Sequence, residues 1–235
     1  KDKKSVQESV HTSIATAIIS GIIMLFIGLL LTKPLLRMMK TPEEIINLSS
    51  LYMQIYFLGM PANMLYNFGA SILRAAGDTR RPLFILSFAG VINVILNLIL
   101  VIVFNLSVAG VAIETISAFL ILRILNNTPG MLRLKWKLVK IHKNRLLEIV
   151  KIGLPAGIQG ILFNISNVLI QSSVNSFGPL VIAANTASVA IEGFVNTSLN
   201  ALYQTALNFT SQNYGAKKFA RIDKILTLSL ILSFI

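Results

Sequence analysis

Cysteine is absent from this sequence, and charged residues are scarce. Of its 235 residues, 13% are charged and 54% are hydrophobic, which gives a mean hydropathy of +0.74. Soluble domains carry about 25% charged residues, so this composition predicts an integral membrane protein. Without cysteine there can be no disulfide framework and no thiolate metal site. The two histidines, His11 and His142, both stand in basic polar stretches, so we expect no histidine metal site and no cofactor.

The same scarcities argue against an enzyme that acts within the membrane. Such an enzyme needs a nucleophile with its base, or a metal cluster. The sequence has no cysteine, no HExxH motif and no histidine within an apolar segment. We therefore expect no enzyme activity.

Long apolar segments are what the sequence has in abundance. An α-helix rises about 1.5 Å per residue, so about 20 apolar residues cross the hydrocarbon core of a bilayer. The pattern predicts an all-α, polytopic membrane protein with six full transmembrane helices and the start of a seventh. The predicted helices cover residues 12–32, 45–73, 83–104, 108–125, 149–177 and 180–209, and the seventh begins after Lys224.

Basic residues are concentrated on alternate loops. If successive loops lie on opposite sides of the membrane, one side holds 18 lysines and arginines and the other holds three, Lys33, Arg37 and Lys40. Positively charged loops are retained in the cytoplasm, so the first side is predicted to be cytoplasmic, in a multi-pass protein of the cell (inner, cytoplasmic) membrane. The net charge of +12 then predicts the lipid bilayer as a partner, and no nucleic acid.

The longest of these basic loops is MLRLKWKLVKIHKNR, residues 131–145, which we call the basic connector. Its basic residues are interleaved with apolar ones, among them Trp136. This pattern predicts an amphipathic segment on the cytoplasmic lipid surface.

Prolines predict two irregularities in the helices. Pro61 lies inside the second apolar segment and predicts a kink, because proline lacks the N–H group that the helix ladder needs. Gly153, Pro155, Gly157 and Gly160 interrupt the fifth segment. They predict a helix start with Pro155 in its first turn.

Two asparagines, Asn93 and Asn97, stand in the middle of an uncharged run of apolar residues. Being four positions apart, they share one helix face. An amide in hydrocarbon costs free energy unless it faces protein or water. Two interpretations remain open: a polar patch that coordinates a cation or its waters, or hydrogen bonds that hold helices together at about 1 kcal/mol each.

Two acids and a row of amides are the other polar groups of the apolar segments. Glu114 and Glu192 lie within the fourth and sixth segments, and intramembrane carboxylates often mark ion paths. Alternatively, Glu114 lies close enough to a helix end to be solvated, or pairs with Arg123. The fifth segment carries Asn167, Gln171 and Asn175, which suit weakly specific binding of amphipathic cations or, alternatively, only pack helices together.

The order and spacing of several motifs resemble one transporter family. RAAGDTRRPL, INVILNLIL and VAGVAIETIS resemble the end of the fourth, the fifth and the start of the sixth helix of multidrug and toxic compound extrusion (MATE) transporters. GLPAGIQGILFNISNVLIQSSVNSFG, AANTASVAIEGF and SQNYGAKK resemble the seventh and eighth helices and the loop that follows. The resemblance covers essentially the whole chain, as a central part of the family from just after the second helix to the start of the ninth.

The resemblance implies an architecture and a division of the chain. MATE transporters form a twelve-helix bundle of two six-helix lobes. Residues 1–125 would then belong to the N-terminal lobe (helices three to six), 126–148 to a cytoplasmic basic connection, and 149–235 to the C-terminal lobe (helices seven, eight and the start of nine). Residues 1–11 do not resemble a signal peptide, so we expect the remaining helices of a longer parent chain as partners.

Two departures from the family affect the implied cation site. Many relatives carry Asp in the fifth helix four residues after an Asn; here Asn93 matches that Asn, and Asn97 stands where the Asp would be. An amide can coordinate a cation but carries no proton at neutral pH. Glu114 replaces a family alanine beside Thr115, the matched threonine of the sixth helix. The resemblance thus implies that Na+ could bind near Asn93, Asn97 and Thr115.

The function that the resemblance implies is a cation-coupled antiporter. It would export drugs or amphipathic, often cationic, metabolites by alternating access, driven by Na+ or H+. One alternative is a lipid-linked oligosaccharide flippase of the same superfamily, which would favour basic residues in the cavity to hold pyrophosphate. Another is a chain with no transport activity on its own.

Overall fold

The structure is a computed structural model that describes residues 3–104 and 109–234, with side chains described in these ranges except at 96–104 and 109–112. Helices make up all the regular structure in these ranges, which confirms the all-α class. The α-helices of the described ranges are α1 (Lys3–Met38), α2 (Glu43–Leu58), α3 (Met60–Ala75), α4 (Arg80–Phe104), α5 (Ala109–Asn127), α6 (Lys143–Asn175), α7 (Pro179–Gly215) and α8 (Phe219–Ser233). Two short 3₁₀ turns, Gly130–Leu132 and Trp136–Leu138, lie between α5 and α6.

Three of the helices are long and apolar enough to cross a membrane when only the described residues are considered. They are α1, α6 and α7, with 36, 33 and 37 residues. Length and composition alone support this assignment, which agrees with three of the predicted segments. The count of six full spans stays a prediction, and the predicted start of the fourth segment, Val108, lies outside the described residues.

The first helix extends beyond the predicted segment at both ends. It includes the polar residues before Thr12, and it continues through Pro34 to Met38. The helix then ends with a Schellman-type turn, in which Lys40 adopts a left-handed backbone with φ of 53°. Thr41 N–H donates to Leu36 O at 3.1 Å, which satisfies one of the last carbonyls of the helix. The end of the helix is thus determined by this turn and not by the proline.

The second predicted segment is divided at Gly59 into α2 and α3, which have 16 residues each. Gly59 keeps helical backbone angles, φ −77° and ψ −17°, but its N–H donates to Tyr56 O, three residues back. Pro61 has no N–H to offer Phe57 O, so the ladder of hydrogen bonds is interrupted here. The irregularity predicted at Pro61 therefore takes the form of a break at Gly59, two residues earlier.

The predicted helix start at Pro155 is wrong. Pro155 lies inside α6, which begins at Lys143. Residues 143–154 consist largely of good helix formers, and Arg145 Nη1 binds Glu148 Oε1 at 2.8 Å one turn further on. These interactions start the helix upstream of the proline, and membrane helices tolerate the missing proline hydrogen bond.

The chain forms two compact units. The first consists of Lys1–Leu73 and Thr79–Ser172, and the second of Arg74–Asp78 and Ser173–Ile235. In the first unit, apolar residues from α1, α3, α4, α5 and the basic connector form one buried cluster: Ile14, Ala70, Leu73, Ile85, Ile121, Leu125 and Leu134. This cluster fixes α3 beside α5, which positions the site described below. The predicted division at residues 125/126 and 148/149 stays a prediction.

The second unit combines α7 and α8 with the turn Arg74–Asp78. Gln212 Nε2 donates to Arg74 O at 3.3 Å, and Gly77 has a φ of 90° in that turn. A Schellman-type turn ends α7, with Lys217 left-handed and Lys218 N–H bonded to Asn213 O at 2.9 Å. The SQNYGAKK motif therefore forms the end of α7 and the turn that leads to α8.

Candidate functional site in a cavity beside Glu114

A cavity of about 470 Å³ lies in the first unit between α3, α4 and α5. Its size is within the range of small-molecule sites, about 300–1,000 Å³. Polar and apolar residues both line it: Asn63, Tyr66, Asn67, Leu86, Ala89, Gly90, Asn93, Ile113, Glu114 and Ser117. Among the described residues that line the cavity, Glu114 is the one with a charged side chain. A cavity that combines one carboxylate with several amides can bind a cation or a cationic organic molecule.

The carboxylate of Glu114 is held by a chain of two asparagine amides. Asn63 Nδ2 donates to Glu114 Oε1 at 3.1 Å, and Asn67 Nδ2 donates to Asn63 Oδ1 at 2.7 Å. Asn63 and Asn67 are one turn apart on α3, so both amides point from the same helix face. Among the described residues, the hydrogen-bond partner of Glu114 is thus Asn63 and not Arg123. The side chain is partly buried, and the amide bond orients it towards α3.

The break at Gly59 makes room for this carboxylate. A Cβ atom built on Gly59 would overlap Glu114 Oε2. The carboxyl group therefore lies directly against the backbone at the junction of α2 and α3. Glycine leaves this space open, and a larger residue at position 59 would push the end of the Glu114 side chain aside.

A second close approach brings α1 to the same junction. A Cβ built on Gly21 would come within 2.6 Å of Pro61 Cα. Small residues allow membrane helices to pack at short backbone distances. Gly21 therefore fixes the junction of α2 and α3 from the side of α1.

The wall contributed by α4 carries Asn93. This residue lines the cavity together with Glu114, as the cation-site hypothesis requires. Tyr66 ties the start of α4 to α3, because its hydroxyl donates to Pro82 O at 3.1 Å. The side chain of Asn97 lies outside the described residues.

The other predicted site residues do not line this cavity. Thr115 follows Glu114 on α5 but is exposed, and Asn167 and Glu192 are exposed on α6 and α7. Gln171 and Asn175 are partly buried on α6. The structure thus brings together Asn93 and Glu114 from the predicted set. The role of each predicted residue stays a prediction.

Sequence reasoning missed Asn63, Tyr66, Asn67 and Gly59. One signal was available, since Asn63 and Asn67 repeat the four-residue spacing of Asn93 and Asn97 within an apolar segment. No local signal marks Gly59 as the neighbour of Glu114, because that contact depends on how α2, α3 and α5 pack.

Comparison with known proteins points to one family. The MatE family model matches residues 1–99. The probable multidrug resistance protein YoeA of Bacillus subtilis is 28% identical, over 100% of this chain and 53% of its own length. The probable multidrug resistance protein YpnP of the same organism is 32% identical, over 83% of this chain and 44% of its own length. The chain thus spans about half the length of the curated relatives it matches.

Solved structures share the fold. The inward-facing conformation of a multidrug resistance MATE family transporter of the MOP superfamily superposes with a TM-score of 0.72 and 17% identity, covering 97% of this chain and 59% of that one. A MOP superfamily transporter from Pyrococcus furiosus gives a TM-score of 0.79 at 17% identity, covering 99% and 57%. These structures share the fold, and the family model together with the sequence relatives shows that the chain belongs to the MATE family.

Proposed function

We propose that the protein to which this chain belongs exports drugs or amphipathic, often cationic, metabolites across the cytoplasmic membrane, driven by an inward gradient of Na+ or H+. The observation that supports it most directly is the partly buried carboxylate of Glu114, held by Asn63 at 3.1 Å in a polar cavity of a MATE-type helix bundle. The relatives described as multidrug resistance proteins support the export of drugs.

Glu114 is the residue that we propose for coupling. A carboxylate can bind Na+ through its oxygens, or it can take up a proton, so it serves either ion. In both cases the positive charge of a bound ion competes with that of a cationic substrate in the same cavity. Such competition is what an exchange of ion for drug requires.

The amides around Glu114 supply oxygen ligands and hydrogen bonds without adding charge. Asn67 donates to Asn63 Oδ1, while Asn93 faces the same cavity. A hard cation such as Na+ prefers oxygen ligands, and carboxylate and amide oxygens both provide them. Neutral amides next to one carboxylate also suit substrates that vary in shape but share a positive charge.

The composition of the lining disfavours the flippase alternative. A lipid-linked oligosaccharide carries a pyrophosphate, which lysine or arginine side chains would have to hold. Within the described residues, the cavity lining contains neither. Glu114 would instead repel the pyrophosphate, so a cationic substrate is the better match.

Ethidium efflux from right-side-out membrane vesicles tests the proposal. The full-length parent protein is expressed, and inward Na+ and H+ gradients are imposed separately. Efflux should respond to one of the two gradients, and Glu114→Gln should lower it by on the order of tenfold or more, since the charged ligand is lost. Glu44→Gln is the matched control, because Glu44 is exposed in the first turn of α2. Absence of efflux under either gradient would refute drug export, and full activity of Glu114→Gln would refute coupling at Glu114.

A further inference from the structure

The basic connector, residues 131–145, is held against the first unit in a defined orientation. It contains six lysines and arginines and no acidic residue. Leu134 anchors it, since this side chain is 0% exposed and belongs to the buried cluster with Ile14 and Leu125. Leu134 N–H also donates to Leu125 O at 3.0 Å. The connector is therefore a structured part of the unit and not a loose loop.

Two side chains of α1 bind the backbone of the connector. Lys135 N–H donates to His11 Nε2 at 3.1 Å, and His142 N–H donates to Thr12 Oγ1 at 3.2 Å. His11 Nδ1 lies 2.6 Å from Gln7 O, so the ring has a partner at each nitrogen. The backbone of the connector is therefore bound to α1 at two positions, Lys135 and His142.

The position of these contacts on α1 sets the depth of the connector in the membrane. His11 is the last residue of the polar lead of α1, and Thr12 is the first residue of its uncharged apolar segment. The connector thus contacts α1 at the boundary between its polar and apolar parts. In a bilayer, this boundary lies at the level of the lipid headgroups.

The outer side of the connector combines basic and large apolar side chains. Arg133, Lys135, Lys137 and Lys140 are all exposed. Between them, Trp136 is 53% exposed, and Leu138 and Ile141 are exposed by 45% and 43%. Tryptophan favours the membrane–water interface, and basic residues beside it are attracted to anionic lipids.

We propose that the basic connector is a docking surface for anionic phospholipid headgroups of the cytoplasmic leaflet. Arg133, Lys135, Lys137 and Lys140 bind the headgroup phosphates, while Trp136 and Leu138 enter the interface between headgroups and acyl chains. The charge of the segment, its depth on α1 and its exposed apolar side chains all match this one partner. A soluble partner would not need the large apolar side chains at headgroup level.

Trp136 provides a direct probe, since it is the single tryptophan of the 235 residues. The full-length protein, with any tryptophan outside these residues replaced by phenylalanine, is reconstituted into liposomes. Its fluorescence is then quenched with brominated phosphatidylglycerol or brominated phosphatidylcholine at equal mole fractions. We expect quenching by the anionic lipid to exceed that by the zwitterionic lipid, and the difference to shrink between 0.1 and about 0.5 M salt, because salt screens exposed charges.

A four-residue variant tests which charges are responsible. In R133Q/K135Q/K137Q/K140Q the preference for the anionic lipid should fall at least about fivefold. This lower bound is the effect expected for the loss of one basic residue near a membrane surface. The matched control is K217Q/K218Q/R221Q/K224Q, which removes four charges from the turn before α8 and the start of α8, on the same predicted side of the membrane. The control should keep the preference.

Three outcomes would overturn the proposal: equal quenching of Trp136 by both lipids, an equal loss of preference in the control variant, or quenching by aqueous iodide with none by brominated lipid. The third outcome would show that another part of the protein, or water, covers the segment. Since fluorescence requires no transport, the result is independent of the proposed drug export. The salt titration of the unsubstituted protein decides the question even if the four-residue variant fails to fold.

Discussion

Asn63 on α3 and Glu114 on α5 are joined by a hydrogen bond of 3.1 Å from Nδ2 to Oε1, although the two residues are 51 positions apart in the chain. This bond places the carboxylate at the wall of the cavity and beside the backbone of Gly59. It also joins two helices whose apolar side chains pack in the same buried cluster. The bond therefore contributes both to the packing of the first unit and to the geometry of the candidate site.

A double-mutant cycle measures how strongly these two residues interact. Asn63→Ala, Glu114→Ala and the double variant should give a coupling energy of about 0.6–2 kcal/mol, the range found for hydrogen bonds between membrane helices. The measurement is equilibrium unfolding in mixed micelles of dodecyl maltoside and SDS. A cycle of Asn63→Ala with Glu44→Ala is the control, since Glu44 is exposed on α2. Additivity of the Asn63 and Glu114 substitutions within about 0.3 kcal/mol would contradict the bond.

Gly59→Ala should displace the carboxylate of Glu114. The added Cβ would overlap Glu114 Oε2, so gradient-driven ethidium efflux should fall by about tenfold or more, as expected when a functional group moves by about 1 Å. Aspartate is one carbon shorter, so the double variant Gly59→Ala/Glu114→Asp should recover part of the activity relative to Gly59→Ala.

Gly157→Ala is the matched control for this experiment. Gly157 lies inside α6, and nothing lies within 4 Å of a Cβ built on it. Its substitution should leave efflux unchanged. If both glycine variants lose the same activity, the loss reflects a general effect of the substitution and the Gly59–Glu114 contact has no special role.

His11→Ala should loosen the basic connector. The substitution removes the acceptor of the Lys135 N–H bond, and an orphaned buried hydrogen-bonding group costs about 1–3 kcal/mol. These 235 residues contain no cysteine, so with any cysteine elsewhere in the full-length protein replaced by serine, Leu134→Cys introduces a single thiol at a position that is 0% exposed. A maleimide should modify this thiol about fivefold faster or more in the His11→Ala background. A loss of about 1 kcal/mol in the stability of the docked connector raises the population of its undocked form about fivefold.

Lys137→Cys provides the control for this accessibility measurement. Lys137 is exposed, so its cysteine should react quickly and at the same rate with or without His11→Ala. If Leu134→Cys already reacts as fast as Lys137→Cys when His11 is intact, the connector is not docked as described.

The sidedness of the loops can be tested with the same cysteine-free background. Lys137→Cys should react with a membrane-impermeant maleimide only when the cytoplasmic face is accessible, as in everted vesicles. Arg37→Cys, in the last turn of α1 on the side with three basic residues, should react only in intact cells or right-side-out vesicles. Reaction of both cysteines from the same side would contradict the assignment of the loops.

Much of the helical architecture followed from the sequence, because membrane-spanning length and loop charge are local properties. The predicted segments 83–104 and 180–209 agree with α4 and α7 at their starts to within three residues. The predicted start of α6 was wrong, because the prediction gave the proline and glycines at 153–160 more weight than the good helix formers that precede them. Pro61 did predict an irregularity, but the hydrogen-bond pattern around it placed the break at Gly59.

The candidate site was only partly accessible from the sequence. Glu114 and Asn93 could be singled out, because charged and amide groups are conspicuous in apolar segments. Asn63 and Asn67 carry the same four-residue spacing, but the sequence could not show that their amides meet Glu114. Glu192 is equally conspicuous in the sequence. The structure leaves it exposed on α7 and buries Glu114 in part, and hydropathy could not predict this difference.

The sequence by itself determined that this is an all-α membrane protein, which of its loops are basic, and that its motifs resemble those of MATE transporters. These properties depend on runs of neighbouring residues, which obey the length and charge requirements of a bilayer. Only the tertiary structure decided that Gly59, Asn63 and Glu114 lie in contact and that His11 holds the basic connector. Those contacts depend on close packing between residues far apart in the chain, and no local pattern encodes which distant side chain fills a given space.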